Sequence, residues 1–367
     1  MDIKRVLVAG ITSNKGGVET YILAIYRHCD REKLQFDFLS YEKINEEYEQ
    51  EIKNLGGQVF YLPTKRKNVM QHYKMLDKIF SKGNYVGVYY QCNRKLYTLD
   101  IFKYAKKYNV PVRAIHSHNS TQPPMSLLEK IRSFSVERKI DKFITHRFAC
   151  SEDAGKWMFA NKQYKVIKNA IDTTVFFYDT EARKNKRKEL GLDDKLIIGT
   201  VGRLSDQKNP FYVVEIVKEL CKLNDDVRFV HIGDGELQEI VKKKIKEYSL
   251  TDKYLLLGLQ DEISAYMNAM DYFILPSKFE GFPIVLVEAQ ATGLHCAVSD
   301  RITDSCDLTG NIKFLPIDAA PKKWAEDILK NIEYNRKNCA QEIAEKGYNI
   351  NCTAKEIQKV FLNEEKE

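Results

Sequence analysis

Short apolar runs alternate with segments of helical period along the whole chain, and this alternation constrains the fold more than any other feature. Arg5–Ala9, Phe36–Ser40, Gln58–Leu62, Val86–Tyr90 and Val112–His116 read as strands, with helical segments such as Val18–Cys29 and Asn68–Phe80 between them. A second series runs through Lys195–Val201, Val227–Ile232, Tyr254–Leu257, Tyr272–Leu275 and His295–Ser299. Strands separated by helices pair in parallel, because a parallel neighbour is reached only by a crossover. At 367 residues the chain exceeds one ordinary core, so the two series are expected to form two doubly wound α/β domains. We place them at 1–172 and 173–349, with Asn169–Tyr178 as the hinge and the highly charged Asp179–Glu189 after it. Residues 350–367 form a terminal segment in which Ala354–Leu362 has helical period.

Hydrophobic residues at 44% and charged residues at 30% fit a globular protein and exclude a disordered or collagen-like one. The opening run ending at Gly10 is too short for a signal peptide and reads as a buried first strand. No stretch of about 18 apolar residues occurs, so no spanning helix is expected. The 8 cysteines show neither Cys-x-x-Cys pairs nor metal-ligand spacing, which suggests reduced thiols and a cytoplasmic protein. Charge is unevenly distributed. Through Asp172 there are 30 Lys and Arg against 18 Asp and Glu, a net +12, whereas the remainder carries a net −5. Such a basic half suits an anionic partner: a lipid surface, a polyprenyl diphosphate or a nucleic acid.

Four segments carry candidate chemistry. In Ser277–Gly293, Glu280 follows the strand Tyr272–Leu275, beside Gly281, and Pro283 is expected in the first turn of the next helix. Open α/β sheets bind ligands at the carboxyl ends of their strands, where Glu280 and free backbone N–H groups would lie. Glu288 falls inside that helix among apolar neighbours and needs a partner, for which ribose hydroxyls would serve. The plain alternative is a capping acid followed by a surface glutamate. In Ile197–Pro210 a strand ends near Gly202, and Asn209-Pro210 reads as an N-cap and first turn. Arg203 and Lys208 flank that loop, and two cations beside a helix N-terminus suit a diphosphate, although exposed loops often carry Arg and Lys for solubility alone. Gly10–Glu19 contains Gly16 and Gly17, which permit close approach of a ligand or serve a tight turn. It matches neither the Walker A loop nor Gly-x-Gly-x-x-Gly, so nicotinamide and flavin are disfavoured. His116 and His118 follow another strand and read either as metal ligands or, with no third ligand nearby in sequence, as hydrogen-bonding histidines.

Taken together, Gly16-Gly17-Val18-Glu19, Gly202-Arg203-Leu204 with Gln207-Lys208-Asn209, Gly233-Asp234-Gly235-Glu236, and Glu280-Gly281-Phe282-Pro283 with Glu288 resemble glycosyltransferase family 4. The flanking His116–Ser120, Ala149–Trp157 and Leu275-Pro276-Ser277 resemble its capsule and exopolysaccharide branch. The resemblance implies a GT-B fold, two Rossmann-like domains facing each other across a donor-binding cleft, and a terminal helix that returns to the first domain. It implies a retaining transferase that moves a hexosyl residue, expected from a UDP-sugar, to a lipid-linked glycan without a metal or other cofactor. Arg203 and Lys208 would hold the diphosphate, Glu288 the ribose and Glu280 a sugar hydroxyl. Backbone amides from Gly281 through Phe282 and Pro283 to Ile284 would orient the sugar, Gly16 and Gly17 would close over the diphosphate, and His116 or His118 would contact the donor sugar. Two positions depart from the pattern: Ala170 and His295 stand where glycine and proline are usual.

On the acceptor side, Met70, Tyr73, Leu76 and Phe80 share one helical stripe, and Leu127, Leu128, Ile131 and Phe134 another, with Lys130 and Arg132 between them. Both are expected either to bury their stripe or to lie against an anionic membrane, which would make the protein peripheral on its inner face. Three rival readings are a sugar-nucleotide epimerase of the same fold, a non-catalytic donor-binding subunit, and a nucleic-acid-binding protein. No basic–aromatic nucleic-acid motif supports the last, so nucleic acid is not expected as a partner.

Overall fold

In the computed structural model, the apolar alternation resolves into two parallel sheets, one in each of two units, 1–170 with 350–367 and 171–349. Residues 3–13, 16–92, 99–120 and 125–364 are described, apart from the side chain of Arg132. Asn14 and Lys15, inside the glycine loop, lie outside the described residues.

The N-terminal sheet contains β1 (Lys4–Ala9), β2 (Leu34–Ser40), β3 (Val59–Tyr61), β4 (Tyr85–Cys92), β5 (Val112–Ser117), β6 (His146–Ala149) and β7 (Lys165–Val166), in the order β3-β2-β1-β4-β5-β6-β7. The C-terminal sheet contains β8 (Leu196–Val201), β9 (Val227–Ile232), β10 (Tyr254–Gly258), β11 (Tyr272–Leu275), β12 (Cys296–Ser299) and β13 (Ile312–Leu315), in the order β10-β9-β8-β11-β12-β13. Every strand pair is parallel. Helices on both faces explain why Val6 to Ala9 in β1 and Ile197 and Ile198 in β8 are almost fully buried in unbroken apolar runs. β6, β7 and β13 are additions to the strands expected from sequence. They are short, and His146, Arg147, Lys165 and Lys313 interrupt their apolar character.

Local signals set most helix starts. Asn45, Asn68, Ser151 and Asp179 each accept a hydrogen bond from a first-turn N–H, and Ser126 with Glu129 forms a reciprocal capping box. The charged segment after Asp179 is the helix Thr180–Leu190. The terminal helix Ile350–Leu362 packs on the helix Gly17–His28 and on β4. Its Phe361 ring occupies the space over Gly87, where a Cβ would lie 2.2 Å from Cδ1. In the C-terminal unit the buried Trp324 anchors the helix Pro321–Lys330, and its indole N–H donates to the carbonyl of Pro316 at 2.9 Å.

Candidate functional site

In the C-terminal sheet the strand order reverses between β8 and β11, so the loops leaving their carboxyl ends diverge and open a crevice. Arg203, Lys208 and Glu280 all sit on these two loops. Lys208 Nζ lies 2.6 Å from Glu280 Oε1, and the two side chains are only 21% and 8% exposed. Gln207 donates to the Phe279 carbonyl at 3.1 Å and to Glu280 Oε2 at 3.3 Å, and Lys278 N–H donates to the Gln207 carbonyl at 2.8 Å. Lys278 also pairs with Asp206 at 2.6 Å. Five contacts therefore fasten the loops. Arg203 is exposed and makes no ion pair among the described residues. Behind the β8 loop, the motif Gly233-Asp234-Gly235 packs backbone on backbone. A Cβ on Gly233 would come within 2.2 Å of the Gly202 carbonyl oxygen, and Leu204 N–H donates to the Asp234 carbonyl at 2.8 Å.

Two helix starts differ by detail from the sequence expectation. Asn209 is the N-cap and Pro210 opens the helix, as read from the sequence, but Asn209 is left-handed after the turn Asp206–Lys208 and makes no side-chain cap. Pro283 is the cap rather than the first turn, and the helix runs Ile284–Ala291. Among the described residues, no group accepts from the N–H of Gly281, Phe282 or Ile284. The Phe282 ring stacks on Tyr348 with centroids 5.4 Å apart, which fixes this turn.

Glu288 lies on that helix, half-buried, and no described residue donates to its carboxylate. Burial pushes its pKa up to about 7, since an unpaired carboxylate is costly away from water. Ser277, just past β11, is fully buried, and its hydroxyl has no partner among the described residues. Sequence reading took it only as part of Leu275-Pro276-Ser277, because one serine at a strand end carries no pattern of its own.

In the N-terminal sheet the order reverses between β1 and β4. Gly16 caps the helix Gly17–His28 at the end of the loop leaving β1. His116 ends near the carboxyl end of β5 and His118 follows it. Their rings lie 4.2 Å apart, with Tyr21 against both. Tyr89 OH contacts His116 Nδ1 at 2.6 Å, and Gln91 Oε1 contacts His118 Nε2 at 2.7 Å. Tyr89 and Gln91, two residues apart on β4, share a face, and His116 at the end of β5 and His118 just beyond it meet them there. Burial lowers both histidine pKa values, that of His118 to about 3, so both rings are neutral near pH 7. Both are almost fully buried, and His116 Nε2 and His118 Nδ1 lack partners among the described residues. Gln91 and Tyr89 were not legible in sequence as histidine partners.

The two apolar stripes part company. Leu76 and Phe80 are buried in the helix Val69–Gly83, leaving Met70 exposed. In the helix Leu127–Ile140, by contrast, Leu127, Leu128, Ile131 and Phe134 are 73%, 81%, 59% and 60% exposed. Among the described residues no helix is long and apolar enough to cross a membrane. The two departures from the family pattern have local accounts. Ala170 is buried without a positive φ, so its position demands no glycine. His295 stacks on Tyr334 at 3.6 Å between centroids, and its N–H donates to the Tyr334 hydroxyl at 3.2 Å.

The architecture is that of the GT-B glycosyltransferases. HepE of Anabaena, solved in complex with UDP, superposes with a TM-score of 0.77 over 98% of this chain and 100% of that one, at 16% identity. Residues 182–350 match the sequence model of the glycosyl transferases group 1 family. EpsF of Bacillus subtilis (strain 168), classed as a glycosyltransferase, is 32% identical over 337 residues, which span 89% of this chain and 87% of EpsF. The UDP-Gal:alpha-D-GlcNAc-diphosphoundecaprenol alpha-1,3-galactosyltransferase of Escherichia coli is 32% identical over 60% of each chain. The protein belongs to the group 1 glycosyltransferases and is a transferase enzyme.

Proposed function

We propose that the protein is a retaining glycosyltransferase that moves a hexosyl residue from a UDP-sugar to a lipid-linked glycan in capsule or exopolysaccharide biosynthesis. The observation that carries the donor assignment is Glu288: a half-buried carboxylate with no protein donor and a pKa raised to about 7. Two ribose hydroxyls would satisfy it. Arg203, free of any ion pair among the described residues, and Lys208 take the diphosphate and stabilise the charge that develops as the sugar–phosphate bond breaks, in place of a metal. Glu280 takes a donor-sugar hydroxyl, and the free N–H groups of Gly281, Phe282 and Ile284 orient the ring, Pro283 holding the turn. In the N-terminal unit Gly16 and Gly17 are assigned to the diphosphate. The histidine role is assigned to His118, which lies beyond the end of β5 and whose Nδ1 has no partner among the described residues while Nε2 is held by Gln91. The names of HepE and the Escherichia coli enzyme, one bound to UDP and the other acting on a diphosphoundecaprenol acceptor, support the choice of donor and acceptor classes.

The exposed stripe Leu127, Leu128, Ile131 and Phe134, with Arg138 and Lys139 in the last turn, is assigned to an anionic membrane surface where the acceptor lies. The donor reading is tested by thermal shift with UDP, GDP, ADP, UDP-hexoses and GDP-mannose on the protein and its Glu288→Ala and Arg203→Ala variants. A ligand at about 100 times its Kd adds roughly 2.7 kcal/mol. A shift selective for UDP compounds and lost in both variants is expected. No shift with any nucleotide at millimolar concentration sinks the reading.

A further inference from the structure

Gln91 lies one residue from the end of β4, beside the point where the strand order of the N-terminal sheet reverses. Its backbone is locked there, because a Cβ on Gly10, just past β1, would collide with the Gln91 carbonyl oxygen. Its side chain and that of His118 are both almost fully buried. The 2.7 Å contact between Gln91 Oε1 and His118 Nε2 has one possible direction, since an amide oxygen accepts and never donates. The hydrogen is therefore on His118 Nε2. A neutral imidazole carries one ring N–H, so Nδ1 is a bare lone pair, and among the described residues nothing donates to it.

The opposite setting, with the amide nitrogen toward the ring, would reverse the tautomer, and Tyr89 speaks against it. Burial raises the Tyr89 pKa and the Gln91 amide works against that rise, as an N–H near the hydroxyl does and an amide oxygen would not. Tyr89 in turn engages His116 Nδ1 at 2.6 Å. The ring of His118 is kept neutral by its burial, with His116 and Asn169 beside it and the Tyr21 ring packed on it. Tyr21 and Tyr89 stay protonated through burial, and the carboxylate of Glu356 acts on their hydroxyls.

We propose that Gln91 is a positioning residue that holds His118 in its Nε2–H tautomer, so that Nδ1 offers a lone pair to a hydroxyl group of the donor sugar. Gln91 acts through the ring and touches no substrate itself. The sugar hydroxyl rests on the donor reading above, whereas the tautomer does not.

Two measurements on the full chain separate these. Heteronuclear NMR of the protein labelled at its histidine rings reads the tautomer without ligand, the His118 signals being those lost in His118→Asn. Near pH 7 the native ring should show a protonated Nε2 and a bare Nδ1, and Gln91→Leu should show both tautomers. An Nδ1–H form in the native protein overturns the proposal, and so does an unchanged tautomer in Gln91→Leu. Calorimetry with UDP, UDP-glucose and UDP-galactose then reads the consequence. Gln91→Leu is expected to weaken binding of the UDP-hexose used by the protein about tenfold, as for one lost hydrogen bond, and to leave UDP binding unchanged. Equal losses for UDP and UDP-hexose overturn the positioning role. Gln91→Glu keeps an accepting oxygen but sets a carboxylate against Nε2, which favours the imidazolium and turns Nδ1 into a donor. Its kcat should approach the native value at alkaline pH and fall along a new acid limb, whereas the native His118 stays neutral down to about pH 3. A Gln91→Glu protein that keeps native hexose binding while NMR shows its His118 ring charged also overturns the role of Nδ1. A native protein with the assigned tautomer that binds neither UDP nor a UDP-hexose contradicts the donor reading and leaves the tautomer established.

Discussion

Replacing Glu288 by glutamine keeps the shape of the side chain and removes its ionisation. In the folded protein burial raises this carboxyl from its ordinary 4.5 to about 7, so between those values the folded state holds a proton that the unfolded chain has released. Stability therefore falls as pH rises through that window and levels off above pH 7. A difference of about two and a half pH units at 1.36 kcal/mol each corresponds to roughly 3 kcal/mol. Urea denaturation at intervals from pH 4.5 to 8 should show this decline in the native protein, and a Glu288→Gln curve shallower by about 3 kcal/mol across the same range. Binding of UDP reverses the sense, because ribose hydroxyls donate to the ionised form. UDP affinity should rise with pH toward 7, and titration calorimetry near pH 6 in buffers of different ionisation enthalpy should detect close to one proton released. In Glu288→Gln both effects vanish, and Kd for UDP rises about tenfold or more through loss of charge-assisted hydrogen bonds. Parallel stability curves for the two proteins from pH 4.5 to 8 would refute the reasoning.

Glu280→Gln releases Lys208 from its 2.6 Å ion pair, so UDP without a sugar should bind several-fold more tightly, while sugar transfer falls about tenfold; calorimetry and a turnover assay read the two separately. Gly87→Ala drives a methyl group into the Phe361 ring and is expected to lower stability by about 1–3 kcal/mol in urea denaturation. Replacing Leu128 and Phe134 by serine should leave the denaturation midpoint in place and reduce sedimentation with vesicles containing anionic lipid. Retention of vesicle binding in that double variant removes the helix Leu127–Ile140 from the membrane assignment.

The parallel sheets were legible because strands buried on both faces must be apolar throughout, as Val6 to Ala9 and Ile197-Ile198 are. β7, with two residues, and β6, which begins His146-Arg147, offer no such run, and only pairing with β5 makes strands of them. The unit boundary falls at 170–171 rather than 172–173, and Ile350–Leu362 belongs with the N-terminal unit. Segments rich in glycine and charge at strand ends marked the loops that bring Lys208 to Glu280, because an apolar run that stops at such residues is the end of a buried strand. The partners were hidden. Gln91 is a single polar residue in apolar surroundings, and Ser277 and Gln207 were readable only as parts of motifs. The stripes beginning at Met70 and Leu127 have the same period, and only tertiary neighbours decide that Leu76 and Phe80 are covered while Leu128 and Phe134 are bare.

A structure of the protein crystallised with UDP is the most direct test of the donor site. Ribose hydroxyls within hydrogen-bond distance of Glu288 and a diphosphate against Arg203 and Lys208, at the ends of β8 and β11, are the predicted result. UDP seated elsewhere on the chain, with Glu288 still unpartnered, would contradict it.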